Sequence, residues 1–256
     1  MKVIILAGGL GSRLSEETHL KPKPMVEIGG KPILWHIMNI YASQGFNDFV
    51  ILLGFKGEVI KNYFINYLYH NNDIHINLKE NSLEMIEKYH EDWKITLVDT
   101  GKNSMTGSRL AKARKYTDDK SFMLTYGDGV ADIDLKELLK FHKKNNGIGT
   151  FTSVIPEGRF GVFRKDSSNL VTSFSEKKDN EKREINAGFF VFENEIFNYL
   201  NTDDSCVLEE EPLSNLAKDK KLYSYPHKGF WKCMDTLKDR HDLEKLWAED
   251  PKWKIW

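Results

Sequence analysis

The chain has 256 residues, of which 40% are hydrophobic and 29% charged, with 15 Phe, 10 Tyr and 6 Trp; this is enough apolar material for a substantial core and excludes an intrinsically disordered chain. Lys and Arg number 37 against 38 Asp and Glu, a net charge of -1, so no global field favours nucleic acid or an anionic membrane, and phosphate binding has to come from a local site. Cys206 and Cys233 show neither zinc-site nor disulfide-framework spacing, which points to a reducing, cytoplasmic setting.

The N-terminus reads MKVIILAGGLGSRL. Its apolar run stops at glycines and Arg13, too soon for a secretory leader, so residues 3–6 read as a buried first strand entering a glycine loop. No later apolar stretch approaches the roughly 20 residues of a membrane-spanning helix. Residues 33–45 place Pro32 at a helix start and Gly45 at its end, with Ile33, Leu34, Ile37, Met38 and Tyr41 on one face. Residues 49–53 then form a strand, 57–68 return to helical spacing, and 94–100 and 121–126 are further strands. This alternation predicts a Rossmann-like α/β fold, a mostly parallel mixed sheet flanked by helices.

From residue 149 the pattern changes to short strands, 149–155, 159–164 and 170–175, which are expected to add an antiparallel lobe at the sheet edge. Residues 177–184 read as a charged, solvated loop. A strand over 186–192 and helical stretches over 193–200 and 208–218 follow, then a charged closing helix and the aromatic tail WKIW. With no linker or repeat in view, the chain reads as one domain over 1–256 whose pattern divides it into a part to about 147 and a C-terminal part from about 148. Exposed aromatics near the C-terminus would allow a homo-oligomer.

LAGGLGSR lies where a strand presents its carboxyl edge. Consecutive amides with few Cβ atoms can close around phosphate oxygens, although a glycine cluster fits a tight strand-to-helix turn equally well. A dinucleotide fingerprint starting at Gly9 would need glycine where Leu14 stands, and a P-loop starting at Gly8 would need it where Arg13 stands. Arg13 puts a bidentate cation at the loop. In KPKPMVEIGGKP, prolines stiffen a non-helical path that carries Lys21, Lys23 and Lys31 close to that loop. Asp128, between two glycines after a strand, suits a turn as well as a metal. Asp235 suits a helix N-cap as well.

LAGGLGSRL followed by KPKPMVEIGGKPILWHIM resembles the sugar-1-phosphate nucleotidyltransferases, and WHIM resembles the branch that couples CTP to glucose 1-phosphate. DTG with SMTGSRL, TYGDGV, FSEK, NAGFFV and GFWKCMDT are similar to the same family in the same order, nearly end to end. The resemblance implies a nucleotide site at Leu6, Ala7, Gly8, Gly9, Leu10, Gly11, Ser12, Arg13, Ser104, Arg109 and Gly127. It implies a sugar-phosphate site at Lys23, Glu176, Lys177 and Asn186, catalytic roles for Arg13, Lys23 and Asp128, and Mg²⁺ held by Asp128 and Asp235.

The implied reaction is in-line attack of a sugar 1-phosphate on CTP, with a dideoxysugar route to surface polysaccharide as the use of the product. Gly127 would let the nucleotide approach closely, and Lys112, Arg114 and Lys115 are expected in solvent. The charged stretch KKDNEKREIN departs from the family's usual proline- or glycine-containing loop, which bears on Lys177 and on sugar identity. A thymidylyl- or uridylyltransferase and a non-catalytic sensor are the alternatives. Against the sensor, Arg13, Lys23, Asp128 and Asp235 are all present.

Overall fold

The computed structural model describes residues 1–86, 91–118, 120–156, 162–165, 171–175 and 184–256. In chain order the elements are β1 (Lys2–Ala7), α1 (Ser15–Thr18), β2 (Glu27–Ile28), β3 (Lys31–Pro32), α2 (Ile33–Ala42), β4 (Asp48–Leu53), α3 (Gly57–Ile65), α4 (Tyr67–Asn71), β5 (Asp73–Asn77), β6 (Ser82–Ile86), β7 (Lys94–Asp99) and α5 (Thr106–Lys112). They continue as β8 (Phe122–Tyr126), β9 (Gly129–Ala131), α6 (Leu135–Asn145), β10 (Gly149–Val154), β11 (Val162–Lys165), β12 (Val171–Ser175), β13 (Ile185–Phe192), α7 (Glu211–Lys218), β14 (Leu222–Pro226), β15 (Trp231–Cys233) and α8 (Leu237–Glu249).

A central sheet of seven strands runs in the order β14-β10-β13-β8-β1-β4-β7. β8, β1, β4 and β7 are parallel, while β13 runs antiparallel to both β8 and β10. Helices cover both faces, so strand residues are buried whichever way they point. Val3, Ile5 and Ala7 of β1 join a core with the apolar face of α2, whereas Ile4 and Leu6 join a second core with Leu110, Ile196 and Leu216. The five α2 residues expected to face inward are all buried. No helix among the described residues is long and apolar enough to cross a membrane.

Several expectations are corrected. The added antiparallel structure after residue 149 is present, but divided: β10 pairs antiparallel with β13 inside the central sheet, while β11 and β12, among the described residues, form a separate two-stranded antiparallel sheet. The stretch 57–68 breaks at Asn66 into α3 and α4. Residues 193–200 hold a 3₁₀ turn, Asn194–Tyr199, and the following helix starts at Glu211 rather than Leu208 because Pro212 suits its first turn.

The β5–β6 hairpin gave no sequence signal, its turn being made by Asn77, whose side-chain oxygen accepts from the Lys79 and Glu80 amides at 3.1 and 3.2 Å. The C-terminal aromatics are packed rather than displayed. Trp253 is 1% exposed and stacks on Phe230, and Trp253, Trp247 and Trp256 surround His36 of α2.

Candidate active site

The four parallel strands end on one edge of the sheet, the edge at which open α/β sheets bind ligands. A cavity of about 550 Å³ opens there. The loop after β1 forms one side, and Leu6, Ala7, Gly8, Gly9, Leu10, Gly11 and Arg13 all line it. A Cβ on Gly9 would meet nothing within 4 Å, so this stretch of backbone is open. Gly8 is different: a Cβ there would fall 2.3 Å from the Arg109 guanidinium, so a side chain at this position would push that group aside. The Ser12 side chain lies outside what the structure describes.

An acidic corner occupies the other side. Lys23 leaves a 3₁₀ turn and places Nζ 2.7 Å from Asp128 Oδ2 and 2.6 Å from Asp235 Oδ1. Burial works against the Lys23 charge, but Asp128 and then Asp235 overcome it and hold the amine above its ordinary pKa. For Asp235, burial is likewise outweighed, by Lys23 and then Arg13, and its carboxyl lies below the usual range. Arg13, with 76% of its side chain exposed, lies 3.2 Å from Asp235 Oδ2, its one ion pair among the described residues.

The helix-cap alternative for Asp235 is excluded. Thr236 caps α8, its hydroxyl accepting from the Asp239 amide while the Asp239 carboxylate accepts from the Thr236 amide, and Asp235 points into the corner instead. Beside it the Cys233 thiol is pushed up to about 12 by burial and then by the Asp235 and Asp128 charges.

The third side is built from residues 102–106 and the start of α5. Ser104 is buried, its Oγ lying 2.6 Å from the Thr100 carbonyl and 2.7 Å from Asp204 Oδ1, while accepting from Lys112 Nζ at 2.7 Å. Lys112 also meets Asp204 at 2.9 Å, so the expectation that it sits in solvent is wrong: it pins this loop. Arg109 lines the cavity but gives Nη1 to Leu53 O, Thr100 Oγ1 and Gly101 O at 3.0, 2.6 and 2.7 Å, and Nη2 to Gly8 O at 2.9 Å. It thereby joins the ends of β1, β4 and β7, a use for which the fork of the guanidinium is suited.

Gly127 also answers to packing, since a Cβ would fall 2.8 Å from the Leu6 carbonyl oxygen and 2.9 Å from Pro24 Cγ. Asn186 stands one step back from the cavity, donating to Tyr126 Oη at 3.2 Å. Glu176 and Lys177 lie outside the described residues.

Sequence reasoning missed Pro24, Lys102, Asn103, Met105, Thr106 and Tyr126 in the lining. Their signal was positional: Pro24 follows Lys23, Tyr126 ends the strand ahead of Gly127-Asp128, Lys102 and Asn103 lead into SMTGSR, and Met105 and Thr106 lie within it. The arrangement suits two anions and one cation. Arg13 and Lys23 can meet phosphates, and the carboxylates of Asp128 and Asp235 converge on one point from which a hard cation could be held. No group of three or more His, Cys, Asp or Glu stands ready for a metal among the described residues, so further ligands would come from phosphate and water.

The chain is 49% identical over 258 residues to the glucose-1-phosphate cytidylyltransferase of Salmonella typhi, covering 100% of both. It is 42% identical over 257 residues to the probable glucose-1-phosphate cytidylyltransferase of Bacillus subtilis (strain 168), again covering 100% of both. Among solved structures, HddC from Yersinia pseudotuberculosis matches with a TM-score of 0.68 at 23% identity over 96% of this chain and 99% of that one. UDP-glucose pyrophosphorylase complexed with UDP-glucose gives 0.69 at 16%, over 97% and 98%. At such identities these two structures speak to the fold. The nucleotidyl transferase family matches residues 2–247, and with a glycine loop, a paired-aspartate corner and two full-length relatives in agreement, the chain belongs to that family.

Proposed function

We propose that this chain is a glucose-1-phosphate cytidylyltransferase, converting CTP and α-D-glucose 1-phosphate to CDP-glucose and diphosphate. The observation that carries the reading is the 49% identity across the full length of the Salmonella typhi enzyme. In the reaction a phosphate oxygen of glucose 1-phosphate attacks the α-phosphorus of CTP. The bond from that phosphorus to the bridging oxygen breaks, and diphosphate leaves with the electron pair.

Positioning and charge neutralisation are what the protein has to supply. The loop after β1 receives the triphosphate on its amides. Arg13, exposed and paired with Asp235, turns to the departing phosphates. Lys23 exchanges its carboxylate partners for the phosphates that react, and Ser104 on its pinned loop meets the nucleoside, with Arg109 fixing the strand ends beneath it. Glu176, Lys177 and Asn186 receive the sugar phosphate. Asp128 and Asp235 would hold Mg²⁺, which when bound neutralises phosphate charge and supports the leaving group.

On the same reading the enzyme works in the cytoplasm, CDP-glucose feeds dideoxysugars of a surface polysaccharide, and the protein is a homo-oligomer. Leu78, Ile76 and Ile86, exposed on the β5–β6 hairpin, support self-association.

Diphosphate release measured over CTP, UTP, dTTP and GTP against a set of sugar 1-phosphates tests the reading. CTP with glucose 1-phosphate is expected to lead by about tenfold or more in kcat/KM, the margin that one lost base contact supplies. Equal rates with UTP or dTTP would overturn it.

A further inference from the structure

Glu209 lies outside every motif that points to the site, on the turn that precedes α7. Both of its carboxylate oxygens are taken. Tyr126, the last residue of β8, donates to Oε1 at 2.5 Å, and Thr106, the first residue of α5, donates to Oε2 at 2.6 Å. Both donors line the cavity. Tyr126 Oη also accepts from Asn186 of β13 at 3.2 Å, so one exposed carboxylate connects three elements around the site.

The positions of the two donors give the connection its meaning. Tyr126 stands two residues before Asp128, on the strand tip that delivers this carboxylate to Lys23. Thr106 directly follows Ser104 and Met105 of the nucleotide wall. The segment around Glu209 is already laced to that wall through main chain, Met105 N donating to Asp204 O at 2.8 Å and Ser108 N to Cys206 O at 3.0 Å, and the Thr106 hydroxyl also accepts from Leu208 N at 2.9 Å. These bonds do not need the Glu209 side chain. What it adds is the tie from the wall to β8. A carboxylate suits the place because two hydroxyl donors need two acceptor oxygens, and the half-buried Tyr126 hydroxyl is met by one of them.

We propose that Glu209 is a positioning residue of the active site, fixing the Thr106 end of the nucleotide wall to the strand tip that carries Asp128 so that the two close on a bound nucleotide as one unit. This rests on reading the cavity as a nucleotide site, and it holds whichever base that site prefers.

The test uses Glu209→Ala, Glu209→Gln, Tyr126→Phe and the double variant Tyr126→Phe/Glu209→Ala. Calorimetry gives the Kd of whichever of CTP, UTP, dTTP and GTP the wild type binds best, with steady-state KM and kcat on the wild type's best substrate pair. Base misassignment would show in the wild-type panel and leave the comparison of variants intact.

Glu209→Ala is expected to fold and to weaken nucleotide binding about tenfold, the scale of one hydrogen bond to a charged group. Glu209→Gln should fall between, since its amide offers one acceptor oxygen, and the double variant should bind no worse than Glu209→Ala. Wild-type Kd and KM in Glu209→Ala, with or without a lowered Tm, would overturn the proposal. So would losses that add in the double variant. If Glu209→Ala does not fold, Glu209→Gln and Tyr126→Phe decide in the same way.

Discussion

Lys23 Nζ lies 2.6 Å from Asp235 Oδ1 although 212 residues separate the two in sequence. The same nitrogen is 2.7 Å from Asp128 Oδ2, and Arg13 reaches the other oxygen of Asp235. Two cations thus balance two carboxylates. On the proposed function, a triphosphate would offer the cations new partners, and Asp128 and Asp235 would then be the residues to hold a metal.

From that convergence we predict that Asp128→Asn and Asp235→Asn each lower kcat/KM by on the order of a hundredfold and raise the Mg²⁺ concentration needed for half-maximal rate. The double variant should be scarcely worse than the less active single one, because one carboxylate removed already spoils a shared site. Magnesium titrations of the four proteins check this. Strictly additive losses would separate the aspartates into independent roles.

Arg13→Ala should lose about a hundredfold in rate, or about 3 kcal/mol, while keeping its melting temperature. The side chain is exposed and, among the described residues, pairs with the Asp235 carboxylate alone, so little of the fold depends on it. Wild-type turnover would take Arg13 out of the chemistry.

Arg109 behaves in the opposite way, because its guanidinium answers the carbonyls of Leu53, Gly101 and Gly8 in a buried place. Arg109→Lys should destabilise the protein by about 2–4 kcal/mol, since an ammonium cannot span the strand ends and leaves buried acceptors unpaired. Urea unfolding measures the loss, and an unchanged midpoint would contradict the clamp.

Acid should loosen the fold through His36. Its Nε2 is 2.8 Å from the Ile28 carbonyl and so donates, while Nδ1 accepts from Trp253 Nε1 at 3.4 Å, which leaves the buried ring neutral. Burial first, with Lys254 adding to it, lowers its pKa to about 4 from 6.5. The unfolded chain therefore takes up the proton first as pH falls. Stability is highest above 6.5 and declines toward pH 4, by about 3 kcal/mol from this residue. The drop in Tm between pH 7 and pH 5 should be smaller in His36→Gln than in the wild type; an equal drop would assign the acid sensitivity elsewhere.

Cys233 should resist alkylation in the native protein at pH 8, because its thiol is held up near 12 and forms almost no thiolate. Mass spectrometry after iodoacetamide, with and without denaturant, makes the comparison. Native labelling at the denatured rate would disprove the shift.

Much of the fold was legible because it is written in short periods. Alternating apolar runs and i, i+3, i+4 spacing marked β1, α2, β4 and β8, whereas the loop after β1, Asp128 and Asp235 stood out only through the family resemblance, since each alone also suits a turn or a helix cap. The β5–β6 hairpin was not legible, since its strands are half exposed and its register hangs on a polar turn at Asn77.

Sequence by itself determined where β1, β4, β7 and β8 end, and hence the sheet edge that carries the glycine loop and Asp128, because their apolar runs alternate with helical segments in a strand-helix-strand order. Tertiary structure alone decided the partners. It gave Asp235 to Lys23 and left the cap of α8 to Thr236, turned Arg109 onto three strand ends, brought Lys112 and Asp204 together behind Ser104, and buried the closing tryptophans around His36. Such pairings join residues as far apart as Arg13 and Asp235, 222 positions along the chain. They arise from the packing of sheet and helices in space, which no local window of sequence encodes.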